Sequence, residues 1–477
     1  MANLGRWTGG VVSILPNTTW AAPNGMFPTE DRNDSSIYSF TSSTSTLTLP
    51  SSSLADGYLL VGSYELHDTS NGRCNPQARF IQSGGTGNFA SNSSSGYNRD
   101  NSEDRSYVKC WAIVDSPSAS STYQFQWRRD SDVPTGGTER ANLEVVPLYY
   151  SDIGIYTSTS TSCAGGITPT LVTGFSGTDG TNITISSNQV TVTGDNKRYL
   201  CLGGYYWQGI GNARTQRWGG FEIDGSFDDA AKGYAYARNG ANADIGEIYT
   251  RLIETDTASR TIETNIYRGD GVANLQGGAN STGNTTGSNA NHVMVVIELN
   301  DSAEVFSSVT SANTSALNAS PTDLNITTTS GLEFNDSASF TRASDTGMNA
   351  EVTGDYLFGS NISAASNNVS TGARWTAFAE FTVNGIPDSN SFAGDYLRNN
   401  QGSQDTFGWS ANLLGFESLT SGDDIGVRVT ELAGTENGGN AVSPSGWSSL
   451  WGINLDTLQP SLPSFNSFYA KNSNFIV

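Results

Sequence analysis

The pentapeptide "YELHD" sets His67 beside Asp68, a pairing that invites comparison with the base and orienting acid of a hydrolase. Such a couple needs an activated nucleophile, and the chain has no Gly-x-Ser-x-Gly elbow to supply one. The second histidine, His292, opens the apolar run "HVMVVIEL" and reads as a strand-end residue. Phosphate chemistry fares no better. "GGYYWQGIGNAR" offers Gly209 and Gly211 but carries Arg214 where a dinucleotide fingerprint has its third glycine. Cys74, Cys110, Cys163 and Cys201 form no Cys-x-x-Cys pair, so neither zinc nor redox chemistry is expected; disulfides stay open, and Cys201 reads as a small buried hydrophobe. Asp224, Asp228 and Asp229 in "EIDGSFDDAAKG", or Asp130 and Asp132 in "RRDSDVP", have the type needed for glycoside hydrolysis or a calcium loop. Their place among turn residues favours solvated turn acids. Tyr205, Tyr206 and Trp207 could stack on sugars, although a β-rich protein claims aromatics for its cores and joints first. No catalytic residue, cofactor or metal site is therefore expected.

The composition narrows the function classes further. The formal net charge of the 477 residues is −22, from 46 acidic and 24 basic residues. That balance lacks the basic footprint of a nucleic-acid binder. The first residues show no basic stretch followed by an apolar run of the secretory kind, and no segment approaches the roughly 18 uninterrupted apolar residues of a membrane helix. Synthesis in a cytoplasm, with no membrane insertion and no nucleic-acid partner, is the expectation.

The elements that would position any site are strands. Period-two runs recur as "TLTL", "YQFQW", "NITI", "QVTV" and "IETNI", separated by Gly, Asn, Ser and Asp clusters. The chain also repeats itself. Tyr-Leu pairs begin at Tyr58, Tyr199 and Tyr356, separated by 141 and 157 residues (199−58 and 356−199). Each is followed by an Arg-aromatic pair (Arg79-Phe80, Arg217-Trp218, Arg374-Trp375) and a Tyr-x-basic element (Tyr107 to Lys109, Tyr236 to Arg238, Tyr396 to Arg398). An arginine-bearing run comes next ("YQFQWRRD", "TIETNIYRGD", "DIGVRVTE"), and an apolar strand closes each unit ("ANLEVVPLYY", "NHVMVVIEL", "SSLWGINL"). The expected fold is all-β: three tandem antiparallel β-sandwiches of jelly-roll type. In the Tyr-Leu strands alternation puts Tyr199 and Cys201, like Tyr58 and Leu60, on one face and leucine or valine on the other. Both faces are apolar, so these strands belong at the centre of their sandwiches.

The corresponding boundaries are an extended N-terminal arm over 1–35, sandwiches over 36–160, 161–305 and 306–460, and a C-terminal tail over 461–477. Arm and tail both carry apolar residues that either fold back onto a domain or dock on another chain. In the arm, Trp7, Val11, Val12, Ile14 and Leu15 are the expected attachment residues, since buried aromatic and aliphatic anchors dominate interface energetics.

In overall style the chain resembles the structural proteins of tailed bacteriophage virions, particularly marine ones. The likeness lies in strands rich in Ser, Thr, Asn and Gly, few His and Cys, acidic charge, tandem sandwiches and apolar arms. It implies a non-enzymatic virion component, a capsid decoration or head-fibre protein on the virion surface. Its partners would be the major capsid protein or a tail component, in a homo-oligomer such as a trimer. The alternative it implies is a tail fibre or adhesin that binds cell-surface glycan.

Overall fold

The computed structural model describes residues 3–459 except 11–15, 17, 51–53, 68–72, 100–104, 130–136, 159–168, 210–213, 239–243, 257, 271–274, 277–291, 313–316, 318–320, 367–373, 399–406, 432–440 and 444. Almost every regular element is a strand, and every ladder is antiparallel. The strands form three two-sheet sandwiches in chain order, as the repeats predict. Each has an inner and an outer sheet. The inner sheet of the second, for example, runs Phe175–Thr178, Tyr150–Ser158, His292–Leu299, Arg198–Gly209, Asp244–Glu254, and its outer sheet Ile183–Ser186, Gln189–Val192, Arg260–Asp270, Arg214–Ile223, Ser226–Arg238. The third repeats both orders, with Gly354–Ser366 and Phe407–Leu419 in the places of Arg198–Gly209 and Asp244–Glu254.

The boundaries differ from the sequence expectation because strand pairing, not composition, sets them. Tyr150–Ser158 pairs with His292–Leu299 and so opens the second sandwich, and Val305–Val309 pairs with Ser449–Asn454 and opens the third. The stretches around these boundaries therefore contain the edge strands Phe175–Thr178 and Leu332–Asn335. The expected arm is also partly sheet: Gly5–Gly9 pairs with Gly137–Leu148, and Thr29–Asn33 pairs with Gly5–Gly9. The tail over 461–477 lies outside the described residues.

The two sheets of a sandwich bury different amounts of surface. Outer strands alternate, as in Thr122–Arg129, where Tyr123, Phe125 and Trp127 are buried and their neighbours partly exposed. Inner strands are buried on both faces, as in Gly57–His67, His292–Leu299 and Ser449–Asn454. Tyr58 and Leu60 enter the first sandwich's own core, Tyr199 and Cys201 the second's, and Tyr356 and Phe358 the third's. Leu59, Val61, Leu200, Leu202 and Leu357 face the other way, into one cluster that all three sandwiches share. The doubly apolar Tyr-Leu strand is thus central in its sheet and also forms the wall between a private core and a common one.

Two-residue turns join the outer-sheet hairpins. Asp224-Gly225 and Asn384-Gly385 both have positive φ at each residue (52° and 76°, 53° and 72°), the geometry that continues the twist of paired strands.

Candidate functional site

The arrangement of the sandwiches is cyclic. The outer-sheet edge strand Ser93–Ser95 packs on Asp244–Glu254 of the second sandwich, Ser226–Arg238 packs on Phe407–Leu419 and Gly354–Ser366 of the third, and Ile386–Arg398 returns to Arg105–Asp115 of the first. Each sandwich thus presents one edge to the next, and the ring closes after three, as three equal subunits would close about a threefold axis.

Along that axis the chemistry changes in layers. The shared cluster is apolar, with Trp111, Ile113, Val295, Ile297, Leu414, Phe416, Trp451 and Ile453 all buried. Toward one end lies a polar layer around a void of about 10 Å³, lined by Ser94, Lys109, Glu247, Ser410 and Asn412 among others. Lys109 Nζ donates to the Leu414 carbonyl at 2.9 Å, and burial lowers its pKa to about 8. Burial raises the Glu247 carboxyl well above the ordinary range, and the neighbouring Asp395 adds to that shift. Beyond this layer three tyrosines close the axis, one from each sandwich. The ring centroids of Tyr97, Tyr236 and Tyr396 lie 5.1, 5.1 and 5.6 Å apart, and each residue is buried.

This triangle corrects the repeat alignment. Tyr107, read as the partner of Tyr236 and Tyr396, lies on Arg105–Asp115 and stacks instead on Phe378 at 5.4 Å. The equivalent residue is Tyr97, in "YNR", which matches "YAR" and "YLR". The Arg-aromatic pairs shift likewise. Phe80, Phe221 and Phe381 each enter their own sandwich core from the same strand, so Phe221 and Phe381, not Trp218 and Trp375, correspond to Phe80. Core-facing phenylalanines at offsets of 141 and 160 residues (221−80 and 381−221) were the signal that could have found this.

Outside the axis, a cleft with a volume of about 460 Å³ lies between the second and third sandwiches. Phe227, Asp228, Arg251, Arg260, Glu333 and Phe334 are among its walls. Arg251 spans the joint: its Nε donates to Asp228 Oδ2 at 2.7 Å, and its Nη1 and Nη2 donate to Glu333 at 2.8 and 2.6 Å. Burial opposes the Arg251 charge, but the two carboxylates outweigh it and raise the pKa. One guanidinium clamps Asp228 and Glu333 and so ties the second sandwich to the third.

The other residues singled out in the sequence fall as follows. His67 Nδ1 lies 3.1 Å from Glu139 at a strand end, while Asp68 lies outside the described residues. His292 is buried, and burial lowers its pKa to about 3, which holds it neutral. Cys74, Cys110 and Cys201 are buried, and Cys163 lies outside the described residues. Asp224 caps its hairpin, accepting from Thr261 N–H and Arg260 Nε at 2.8 Å each, and Asp229 accepts from Lys232 at 2.6 Å. Asp130 and Asp132 lie outside the described residues. Tyr205 and Tyr206 are buried, so neither forms an open sugar platform; Tyr206 bridges sandwiches, donating to Gln77 Oε1 at 3.2 Å.

Of the five attachment residues, Trp7 is corrected. It is 2% exposed, packs on Phe40 with a centroid distance of 5.1 Å, and donates from Nε1 to Glu30 at 3.2 Å. Its strand pairs with the first sandwich, so the ring is core and not a free anchor. Val11, Val12, Ile14 and Leu15 lie outside the described residues.

No family model matches the chain, and no curated protein matches it. Among solved structures, one of murine APRIL at pH 8.5 is similar at 15% identity with a TM-score of 0.20, covering 32% of this chain and 98% of that one. A second, of murine APRIL at pH 5.0, has 14% identity and a TM-score of 0.21 over the same shares. The fold assignment rests on the strand topology described above.

Proposed function

We propose that the chain is a non-enzymatic structural protein of a tailed-phage virion, a capsid decoration or head-fibre block. The observation that carries this reading is the closure of three sandwiches on one shared core. A single chain then behaves as a rigid, pseudo-threefold block, whose inner faces are spent on cohesion and whose outer sheets face outward. Such a block suits a threefold or quasi-threefold position on a shell, where three like surfaces converge. The faces that three separate sandwiches would use to trimerise are already filled within one chain, so a homo-oligomer would form through other surfaces. Val11, Val12, Ile14 and Leu15 remain the proposed anchor to the capsid or tail partner.

Purified particles test this. A three-lobed density on the shell, lost when Val12→Asp and Ile14→Asp are combined, is the expected result. Absence of the protein from purified particles would sink the virion reading, and normal incorporation of the double variant would sink the anchor.

A second reading, a fibre or adhesin that binds glycan, is favoured by the interdomain cleft, where Phe227 and Phe334 flank a polar wall. Selective glycan-array binding, lost in Phe227→Ala, would support it; a flat array would count against it.

A further inference from the structure

The last described residues are fixed where the second sandwich passes into the third. The short helix Leu455–Leu458 follows the strand Ser449–Asn454 and is tied to the connection between those two sandwiches. Asn300 Nδ2 donates to the Leu458 carbonyl at 3.0 Å, and Ser302 Oγ donates to the Thr457 carbonyl at 2.8 Å. Beyond Gln459 the sequence has 18 further positions (477−459), which lie outside the described residues. A segment of that length spans up to about 60 Å when extended. Its composition departs from the rest of the chain. Against a net charge of −22, residues 460–477 contain no acid and one base, Lys471, and they carry Phe465, Phe468, Tyr469 and Phe475.

Two recesses follow one another from the point where Leu458 is held. The first, of about 230 Å³, is lined by Lys197, Arg198, Asn300 and Asp301 among others. Arg198 is also the ridge between it and the interdomain cleft. Its Nε donates to Glu254 Oε1 at 3.1 Å and its Nη2 to Asp336 Oδ1 at 2.9 Å, and Glu254 is itself a wall of the cleft. The cleft matches the segment in two respects. Phe227 and Phe334 are both partly exposed there, and Asp228, Glu254 and Glu333 outnumber Arg251 and Arg260, whose guanidinium groups already hold carboxylates. Phe334 lies on Leu332–Asn335, the edge of its sheet, whose one ladder neighbour among the described residues is Val305–Val309. An edge strand offers unpaired N–H and C=O groups to an added extended peptide.

We propose that the cleft between the second and third sandwiches is a docking groove for the chain's own segment 460–477. The segment runs past Asn300 and Arg198 and sets its aromatic residues against Phe227 and Phe334. The occupant is the same chain, because the helix that precedes the segment is already fixed beside the groove, and a tethered peptide binds at a high effective concentration. Lys471, on an acid-free segment, complements the acidic balance of the walls. The inference is independent of the virion reading and opposes the glycan reading, since a filled cleft admits no sugar.

Hydrogen exchange and trypsin cleavage of the full chain test this, with Lys471 as the reporter cut. In the parent, amide exchange over 464–471 and cleavage after Lys471 should both be slower, by about tenfold or more, than in Phe227→Ala. The reciprocal variant combines Phe465→Ser with Phe468→Ser, which touches no residue of the described cores. It should release the segment and also speed exchange at Leu332–Asn335. If Phe227→Ala fails to fold, the tail variant decides alone, and unchanged exchange at Leu332–Asn335 would overturn the groove. A segment that exchanges and is cut like a free peptide in the parent would overturn it too, as would protection that a folded Phe227→Ala leaves intact. Protection should not depend on protein concentration; loss on dilution would assign the segment to a second copy and overturn docking within one chain.

Discussion

The joint between the first and third sandwiches and the joint between the first and second solve one packing problem by different means. Where the first meets the third, charges dominate. Buried Arg6 reaches Glu144 at 2.9 Å and Glu417 at 3.3 Å and lies 4.2 Å from the Phe416 ring centroid. Arg140 joins Glu65 to Glu380, and Arg32 forks onto Asp355 at 2.8 and 2.9 Å. Where the first meets the second, small residues let backbones approach. Gly246 N–H donates to Ser95 Oγ at 3.0 Å, and a Cβ on Gly246 would stand 2.4 Å from the Ser93 carbonyl oxygen. The difference follows from the chain itself. The first and second sandwiches are neighbours in sequence, joined directly at Tyr149, so their local concentration is high whatever their contacts. The first and third are held only by what they touch, and directional, charge-assisted bonds fix that closure.

Removing the charge at the closing joint should have the largest effect. Arg6→Ala leaves Glu144 and Glu417 facing each other without their cation, and a loss of about 3 to 5 kcal/mol in denaturant unfolding is expected. A loss below about 1 kcal/mol would show that the closure does not depend on this network. Wedging the other joint comes next: Gly246→Val should cost about 2 to 3 kcal/mol, because the side chain meets backbone that cannot turn aside. Hydrogen exchange should then rise at Ser93–Ser95 while the Arg6 region stays protected, and the reverse pattern would erase the contrast.

A pH series sharpens the polar layer between the joints. Asp395 is 4% exposed; burial raises its carboxyl well above the ordinary range, although the Tyr396 N–H at 2.7 Å acts the other way. Its Oδ2 has no hydrogen-bond partner among the described residues. With the native pKa above the unfolded one, its stabilising contribution is complete below the ordinary aspartate value near pH 4 and lost as pH rises through the raised value. Asp395→Asn keeps an acceptor for Tyr396, so the variant should match the parent near pH 4 and exceed it by about 1 to 2 kcal/mol at pH 8. A pH-independent difference would place the group in a solvated setting. The smallest effect is expected away from every joint. Asp224→Ala removes a hairpin cap and puts alanine at a φ of 52°, for a loss of about 1 kcal/mol with no change in exchange at either joint.

Much of this architecture was legible in the residues because the two sheets write different patterns. Outer strands such as "QVTV" and "YQFQW" alternate, since one face meets a core and the other meets solvent. Inner strands such as "YLCLGG" are apolar on both faces, and that doubling is the sequence trace of the shared core. What stayed hidden was pairing across long separations. Nothing local to Trp7 reveals that its strand closes the first sandwich beside Gly137–Leu148. Tyr107 and Tyr97 both precede a basic residue by two positions, and only register separates the one that stacks on Phe378 from the one that joins the axis.

The shared core is tested most directly by differential scanning calorimetry of the full chain and of Arg6→Ala. Three sandwiches that bury one common cluster should unfold together, in a single transition whose calorimetric and van't Hoff enthalpies agree and which the substitution moves as a whole. Three separable transitions, with Arg6→Ala shifting only one, would contradict it.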